Sequence, residues 1–435
     1  MCLYSCVKSS QPNNPPGPVG PAGPVITGIS ITSLTPAHGP YNTIDTIAGK
    51  GFDLIPSFDS VIINGKKLNI ISQNSQQIIV QIPLLTGTGN VNVWYQGKMI
   101  TGPVFTYDSL LMVTTIAGNG KEGEVNGRGT NAWFWSPNGI VVDHKGNLYV
   151  ADMGGSCIRK IDTSGFVSTL AGPAAPEGGY VNGTGYAARF SSPGGLCIDQ
   201  NGFLYIADTD NSLVRKVSPA GEVTTFAGAI YDSNPNYGDY DGDATTATFS
   251  KPSGVACDKN GNIFVADTYN NKIRKITPAG VVSSFAGGGY YQFGSMDGKG
   301  SAAKFYEPDA IAVDYLGNIF TLDNENHILR KTTPDGTVTT LLGPMEVPYI
   351  TGPYDNFFAT QLATDKYGNL YFGINVGIIK MTPDGTLIRY ATGGIGEADG
   401  PAQIATYRAI TGITVDDAGT IFIADNNRIR KLAWQ

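Results

Sequence analysis

Along most of the chain, apolar and polar positions alternate in short runs of five or six residues. Glycine, asparagine and proline separate the runs. That alternation predicts short strands joined by tight turns rather than helices. The clearest run is LYVAD at 148–152, and it returns in altered form at 204–208, 263–267, 319–323, 370–374 and 421–425. Five residues before each copy stands an aspartate: Asp143, Asp199, Asp258, Asp314, Asp365 and Asp416. The successive gaps are 56, 59, 56, 51 and 51 residues. Self-similarity at such a period marks a propeller or solenoid, whose units cannot bury their own faces alone.

Each unit reads as four strands. Strand a is the Gly139–Asp143 type behind a Pro-x-Gly entry, and strand b is the 148–152 type. Strand c is CIRKI at 157–161, repeated at 213–217, 272–276, 328–332, 378–382 and 428–432. Strand d is VSTLAG at 167–172, repeated at 223–228, 282–287, 338–343 and 387–393. Four antiparallel strands joined by Gly, Asx and Pro turns describe a propeller blade. A further strand d, VTTIAG at 113–118, precedes the first a–b–c set, whereas no strand d follows the last set. The expected fold is all-β: a six-bladed propeller over residues 108–435. In it, residues 111–117 supply the outer strand of the blade begun by 412–432, which removes an exposed edge.

These units resemble the NHL family, whose motif runs PxGIAVDxxGNLYVADxxNxxIRKI. The match is carried by SPNGIVVDHKGNLYVAD at 136–152 and KPSGVACDKNGNIFVADTYNNKIRKI at 251–276. Blade five departs from the motif, with Ile374 in place of the aspartate and Lys380 in place of the arginine. The resemblance covers residues 110–435 and implies the propeller. It leaves function open, because family members include ligand binders, protein-interaction modules, RNA binders and a lyase.

Residues 25–107 resemble a TIG (IPT) domain, an immunoglobulin-like sandwich. Pro36 and Gly39, Thr46–Phe52, Val61–Gly65 and Pro83 through Val93 carry that pattern, and a spacer is its plainest role. Residues 1–24 begin with Leu3-Tyr4-Ser5-Cys6, the spacing of a bacterial lipobox, which points to acylation at Cys6. Only Met1 and Cys2 precede it, so the apolar part of a signal is missing. That implies a mis-assigned or truncated start, with a chance tetrapeptide as the competing reading. The rest of this segment carries three Gly-x-y triplets, too few for collagen, and reads as a stiff extended linker.

Composition narrows the setting. With 57 Gly, 26 Pro, 22 Tyr and 15% charged residues, the chain suits an extracellular, turn-rich protein. Its net charge of −7, without a basic cluster, argues against nucleic acid as a partner. No apolar run approaches the roughly 18 residues of a membrane span, so a membrane enters only through a lipid anchor. The five cysteines do not make a disulfide framework. Cys197 and Cys257 fall in innermost strands and are expected as buried thiols, and Cys157 opens a strand c.

Strand direction places the d–a and b–c loops on one face, and the d–a loops are the long ones, so recognition is expected there. Within those loops (N/D)Gx(G/A)xxAxFxxP recurs, and Phe134, Phe190, Phe249 and Phe305 are expected to plug between blades. Asp152, Asp208, Asp267 and Asp425, with Arg159, Arg215, Arg274 and Arg430, recur around the ring and read as structural. Departures from the repeat are more telling. Trp133 and Trp135 flank Phe134, and Tyr180, Tyr231, Tyr237, Tyr240, Tyr269, Tyr290, Tyr291, Tyr349 and Tyr354 map to the same face. Aromatic rings beside amide and carboxyl groups suit sugars, which offer C–H faces and hydroxyl edges. Packing of the long loops is the competing account.

Enzyme chemistry meets specific positions. Six-bladed lactonases hold Ca²⁺ above the channel, where this chain has Asn138, Gly194, Ser253, Asp309, Thr360 and Thr411. Only Asn138 and Asp309 are good ligands, in opposed blades, so a Ca²⁺ cage is weakly supported and no cofactor is expected. The stretch Asp239–Asp243 reads as a solvated acidic turn. The amidating lyase with NHL repeats uses histidines, and of the three here only His327 lies on the right face.

The favoured reading is a cell-envelope lipoprotein, at the outer membrane, whose propeller binds an extracellular glycan. Its ligand residues are Trp133, Trp135, Tyr269, Tyr290, Tyr291 and Tyr306, with Asn138 and Asp309. It resembles the TIG–NHL surface proteins of gut Bacteroidetes, which commonly accompany glycan uptake. The alternatives are a hydrolase or lyase using Glu307, Asp309, Asp323 or His327, and an interaction platform for another envelope protein.

Overall fold

A computed structural model describes residues 28–39, 43–52, 60–83, 86–95, 97–173, 175–231, 234–235, 237–343, 361–374, 377–391 and 393–435. Cys6 and the linker, Thr360, Tyr349 and Tyr354 lie outside the described residues, as does the side chain of Tyr231. The chain divides into two compact units, the first ending at Ser109 and the second running Leu110–Gln435.

The first unit is a two-sheet sandwich. One sheet runs Ser30–Thr35, Ile44–Lys50, Gln77–Gln81 and Asn69–Gln73 in spatial order. The other runs His38–Gly39, Lys98–Tyr107, Gly89–Tyr95, Ser60–Ile63 and Lys66–Lys67. Period two decides what goes inside. Ile78 and Val80, and Val91 and Val93, are fully buried between neighbours that are not. The Ser60–Ile63 hairpin closes on Asn64-Gly65, both at positive φ (46° and 76°), the pair that a two-residue turn demands.

The second unit is six sheets arranged as blades. The first has strand a at Pro137–Val142, b at Leu148–Asp152, c at Cys157–Ile161 and d at Phe166–Ala171. Closure is as expected. Leu111–Ala117 pairs antiparallel with Ile429–Trp434, with Val113 opposite Leu432. Leu110 and Gln435 exchange backbone hydrogen bonds of 3.0 and 2.9 Å.

Among the described residues, five of the six blades carry one strand more than the four expected. Gly127–Arg128 pairs outside strand d, and Gly183–Thr184, Gly242–Asp243, Gly298–Lys299 and Gly400–Pro401 repeat the arrangement in four other blades. The Asx-Gly of the long-loop motif thus covers the outer edge of its own blade, which blunts a pairing surface. Behind it, Phe134 is fully buried between Leu148 and Val150 of blade one and Phe422, Ala424 and Ile429 of blade six. Phe190, Phe249 and Phe305 fill the next three interfaces, and Tyr407 is equally buried in blade six.

One expectation fails. Cys197 and Cys257 are joined in a disulfide with Cα atoms 5.9 Å apart, so they are not free thiols. The bond ties strand a of blade two to strand a of blade three. Cys157 is a buried free thiol, and burial pushes it well above the usual thiol range.

Candidate functional site

The six strands a surround an axial channel with a cavity of about 200 Å³. It is narrow because glycines early in strand a, at Gly139, Gly195, Gly254 and Gly412, let neighbouring strands meet. A Cβ on Gly254 would lie 2.4 Å from the carbonyl oxygen of Asp309, and one on Gly412 would lie 2.0 Å from that of Asn138. The residues where six-bladed lactonases hold their ion serve this packing as well. Ser253 Oγ donates to the Asp309 carbonyl at 3.1 Å and Thr411 Oγ1 to the Pro137 carbonyl at 2.6 Å. Asn138 accepts at Oδ1 from Gln361 Nε2 at 3.4 Å. Among the described residues, no group of three or more His, Cys, Asp or Glu side chains is placed to hold a metal ion.

Under the long loops lies a repeated clamp. Arg159, Arg215, Arg274, Arg330 and Arg430 are fully buried. In blade two, Arg215 Nη1 donates to Asp208 at 2.7 Å and to the Arg189 carbonyl at 2.9 Å, while Nη2 reaches the Val181 carbonyl and Asn182 Oδ1. The guanidinium carbons sit 5.0–5.2 Å from the rings of the plugging Phe134, Phe190, Phe249, Phe305 and Tyr407. Burial pushes the Asp152 carboxyl up to about 7 and those of Asp208 and Asp323 to about 6, against the pull of the paired guanidinium. The clamp therefore pins the loops and has no free face for chemistry.

That finding settles the place of Asp323. It accepts from Arg330 at 2.9 Å, Asn326 at 2.9 Å and the Tyr306 amide at 2.7 Å, fully buried, as blade four's copy of the clamp. It is not available as a catalytic acid. Glu307 and Asp309 are half-buried on the long-loop face beside Glu325. Burial first, and then the charges of Glu325 and Asp309, push the Glu307 carboxyl up, and burial pushes up that of Asp309. His327 sits at φ 54° in the b–c turn, the backbone position of Ser156, Ser212 and Asn271 in other blades.

The aromatic candidates fall into separate groups. Tyr237, Tyr240, Tyr269 and Tyr290, exposed by 76, 72, 48 and 53%, line an open cleft of about 670 Å³ over blades two to four. Its walls are held from below. Asn270 Nδ2 bonds the Gly238 carbonyl at 2.6 Å and Asp267 at 2.9 Å, and Arg274 Nη2 bonds the Tyr240 carbonyl at 2.8 Å. Asn271 Nδ2 holds the Tyr290 carbonyl at 3.1 Å. Tyr291 meets the edge of Tyr290 at 4.6 Å, whereas Tyr306 is stacked on Phe293 at 4.7 Å. Tyr237 and Tyr240, left out of the sequence-based ligand set although mapped to this face, belong to the cleft.

The tryptophans lie in blade one, outside that cleft. Lys121 Nζ sits 5.1 Å from the Trp133 ring. The Trp135 indole rests on Gly154, where an added Cβ would come within 2.5 Å of it. Trp135 is about one-third exposed.

Comparison with known proteins follows the two units. Residues 29–107 match the IPT/TIG domain, 116–178 the teneurin NHL domain, and 190–217 and 249–276 the NHL repeat. SUPPRESSOR OF QUENCHING 1 of Arabidopsis thaliana is 27% identical over 284 residues, 50% of this chain and 27% of that protein. NHL repeat-containing protein 2 of Bos taurus is 33% identical over 171 residues, 36% and 23% of the two chains. This chain thus spans about a quarter of the length of those relatives. Among solved structures, an auxiliary nutrient binding protein from Bacteroides ovatus covers 94% of this chain and 99% of its own, at 16% identity and a TM-score of 0.46. A streptogramin B lyase covers 75% and 98%, at 14% identity and a TM-score of 0.47.

Proposed function

The chain joins an IPT/TIG domain to a propeller of NHL repeats, and from that premise we propose a cell-envelope binding protein that takes extracellular carbohydrate on the long-loop face. The observation that carries the proposal is the cleft walled by Tyr237, Tyr240, Tyr269 and Tyr290. Four exposed phenol rings, pinned from beneath, offer flat apolar faces with hydroxyl edges, which complement a sugar ring. The Cys197–Cys257 disulfide supports an oxidising compartment outside the cytosol. Acylation at Cys6 would then tether the protein, with the TIG domain as spacer.

The test is a glycan array with the secreted form, followed by calorimetry. Tyr269→Ala should weaken binding by about 1–3 kcal/mol, the scale of one well-buried aromatic contact, and leave the melting temperature in place. If Trp133→Ala or Trp135→Ala removes binding and Tyr269→Ala does not, the ligand sits over blade one. A hydrolase or lyase reading rests on Glu307 and Asp309, whose raised carboxyls suit proton transfer. Turnover of an ester or lactone, abolished by Asp309→Asn, would replace the binding proposal.

A further inference from the structure

The charges around the tyrosine cleft cancel in pairs. Asp210 bonds Lys251 Nζ at 2.6 Å, and Asp239 bonds Lys272 Nζ at 2.9 Å. Asp210 also accepts from Ser192 Oγ at 2.6 Å. The first pair joins two positions that vary around the ring, blade four carrying Glu325 and Glu307 at them. Where blade two has Asp210, blades one and three have Gly154 and Tyr269; where blade three has Lys251, the first two blades have Ser136 and Ser192. Lys251 holds φ 50°, close to the 55° and 51° of those serines, so the backbone is shared and only the side chain is new.

From this geometry, and resting on the carbohydrate reading above, we infer that the cleft selects uncharged oligosaccharides over acidic and amino forms. An anionic sugar would face Asp210 and Asp239 with both lysines already engaged. A cationic sugar would face Lys251 with both carboxylates engaged. Like-charge juxtaposition is a strong source of rejection where the opposite charges are already satisfied. A neutral hydroxyl meets no such opposition, because a paired carboxylate keeps lone pairs to accept from it and a paired ammonium keeps protons to donate. The rings then contribute contact area and the ion pairs contribute orientation.

The experiment titrates the full chain with one oligosaccharide backbone in three forms: neutral, with uronate units and with glucosamine units. The neutral form should bind at least about tenfold more tightly than either, a difference of about 1.4 kcal/mol. Lys251→Ala frees Asp210 and should move preference toward the glucosamine form. Asp210→Asn frees Lys251 and should move it toward the uronate form. Matching melting temperatures for the variants confirm that the fold is retained. Tighter binding of a charged form by the parent, or variants that do not shift in these opposite directions, would overturn the inference and leave the carbohydrate reading standing. No binding of any form on the array or by calorimetry would remove both.

Discussion

At the scale of single residues, burial separates structural roles from exposed ones. Phe134 and Trp135 are neighbours in sequence, yet Phe134 is fully buried between two blades while Trp135 lies on Gly154 about one-third exposed. A buried carboxyl in the sandwich makes a measurable case. Asp45 is fully buried; its Oδ1 accepts from the Thr35 amide at 3.0 Å and its Oδ2 has no hydrogen-bond partner among the described residues. Burial pushes its carboxyl up to about 6, more than the Thr35 and Thr46 amides pull it down. The folded state therefore holds a proton that the unfolded state has lost between about pH 4 and 6, so this group's contribution falls as pH rises through that window. At about 1.4 kcal/mol per unit, the loss is on the order of 2–3 kcal/mol. Asp45→Asn should flatten that part of the profile, read as denaturant unfolding of parent and variant from pH 4 to 7. Parallel profiles would contradict it.

At the scale of elements, the closing strand is the most consequential segment. Leu111–Ala117 lies between Ile429–Trp434 and Gly400–Pro401, and Asp399 receives the Thr115 amide at 2.7 Å and hydroxyl at 3.0 Å. Leu111, Met112, Val113 and Ala117 are all buried. Deleting residues 108–118 should expose the edge of strand c in blade six and cost roughly 1.5–3 kcal/mol for each large apolar side chain removed. Light scattering and thermal unfolding should show aggregation or a much lowered midpoint. A deletion variant as stable as the parent would contradict closure by this strand. The extra outer strands were less readable, because Asx-Gly signals a turn equally well. Only the covered edge of strand d shows that this turn also pairs.

At the scale of the whole molecule, the ring is held by contacts between repeats, and one of them is covalent. The Cys197–Cys257 bond closes a separation of 60 residues. Replacing both with serine should lower stability by roughly 2–4 kcal/mol, and reductant should reproduce the loss in the parent alone. An unfolding midpoint indifferent to reductant would show that the pair is not joined. The sequence could not announce this bond. Cys197 stands two residues before Asp199 and Cys257 one before Asp258, an offset that points the two side chains to opposite faces of equivalent strands. Blades pack front to back, so opposite faces are the ones that meet. By itself the sequence determined the six repeats, the four main strands of each, the closing strand and the sandwich, because alternation and turn residues act locally. It also marked the long-loop face and the structural Phe and Arg series. Tertiary structure decided which loop residues share a cleft and that charges in that cleft are paired. Those facts depend on loops from different blades meeting in space, and no spacing along the chain encodes that distance.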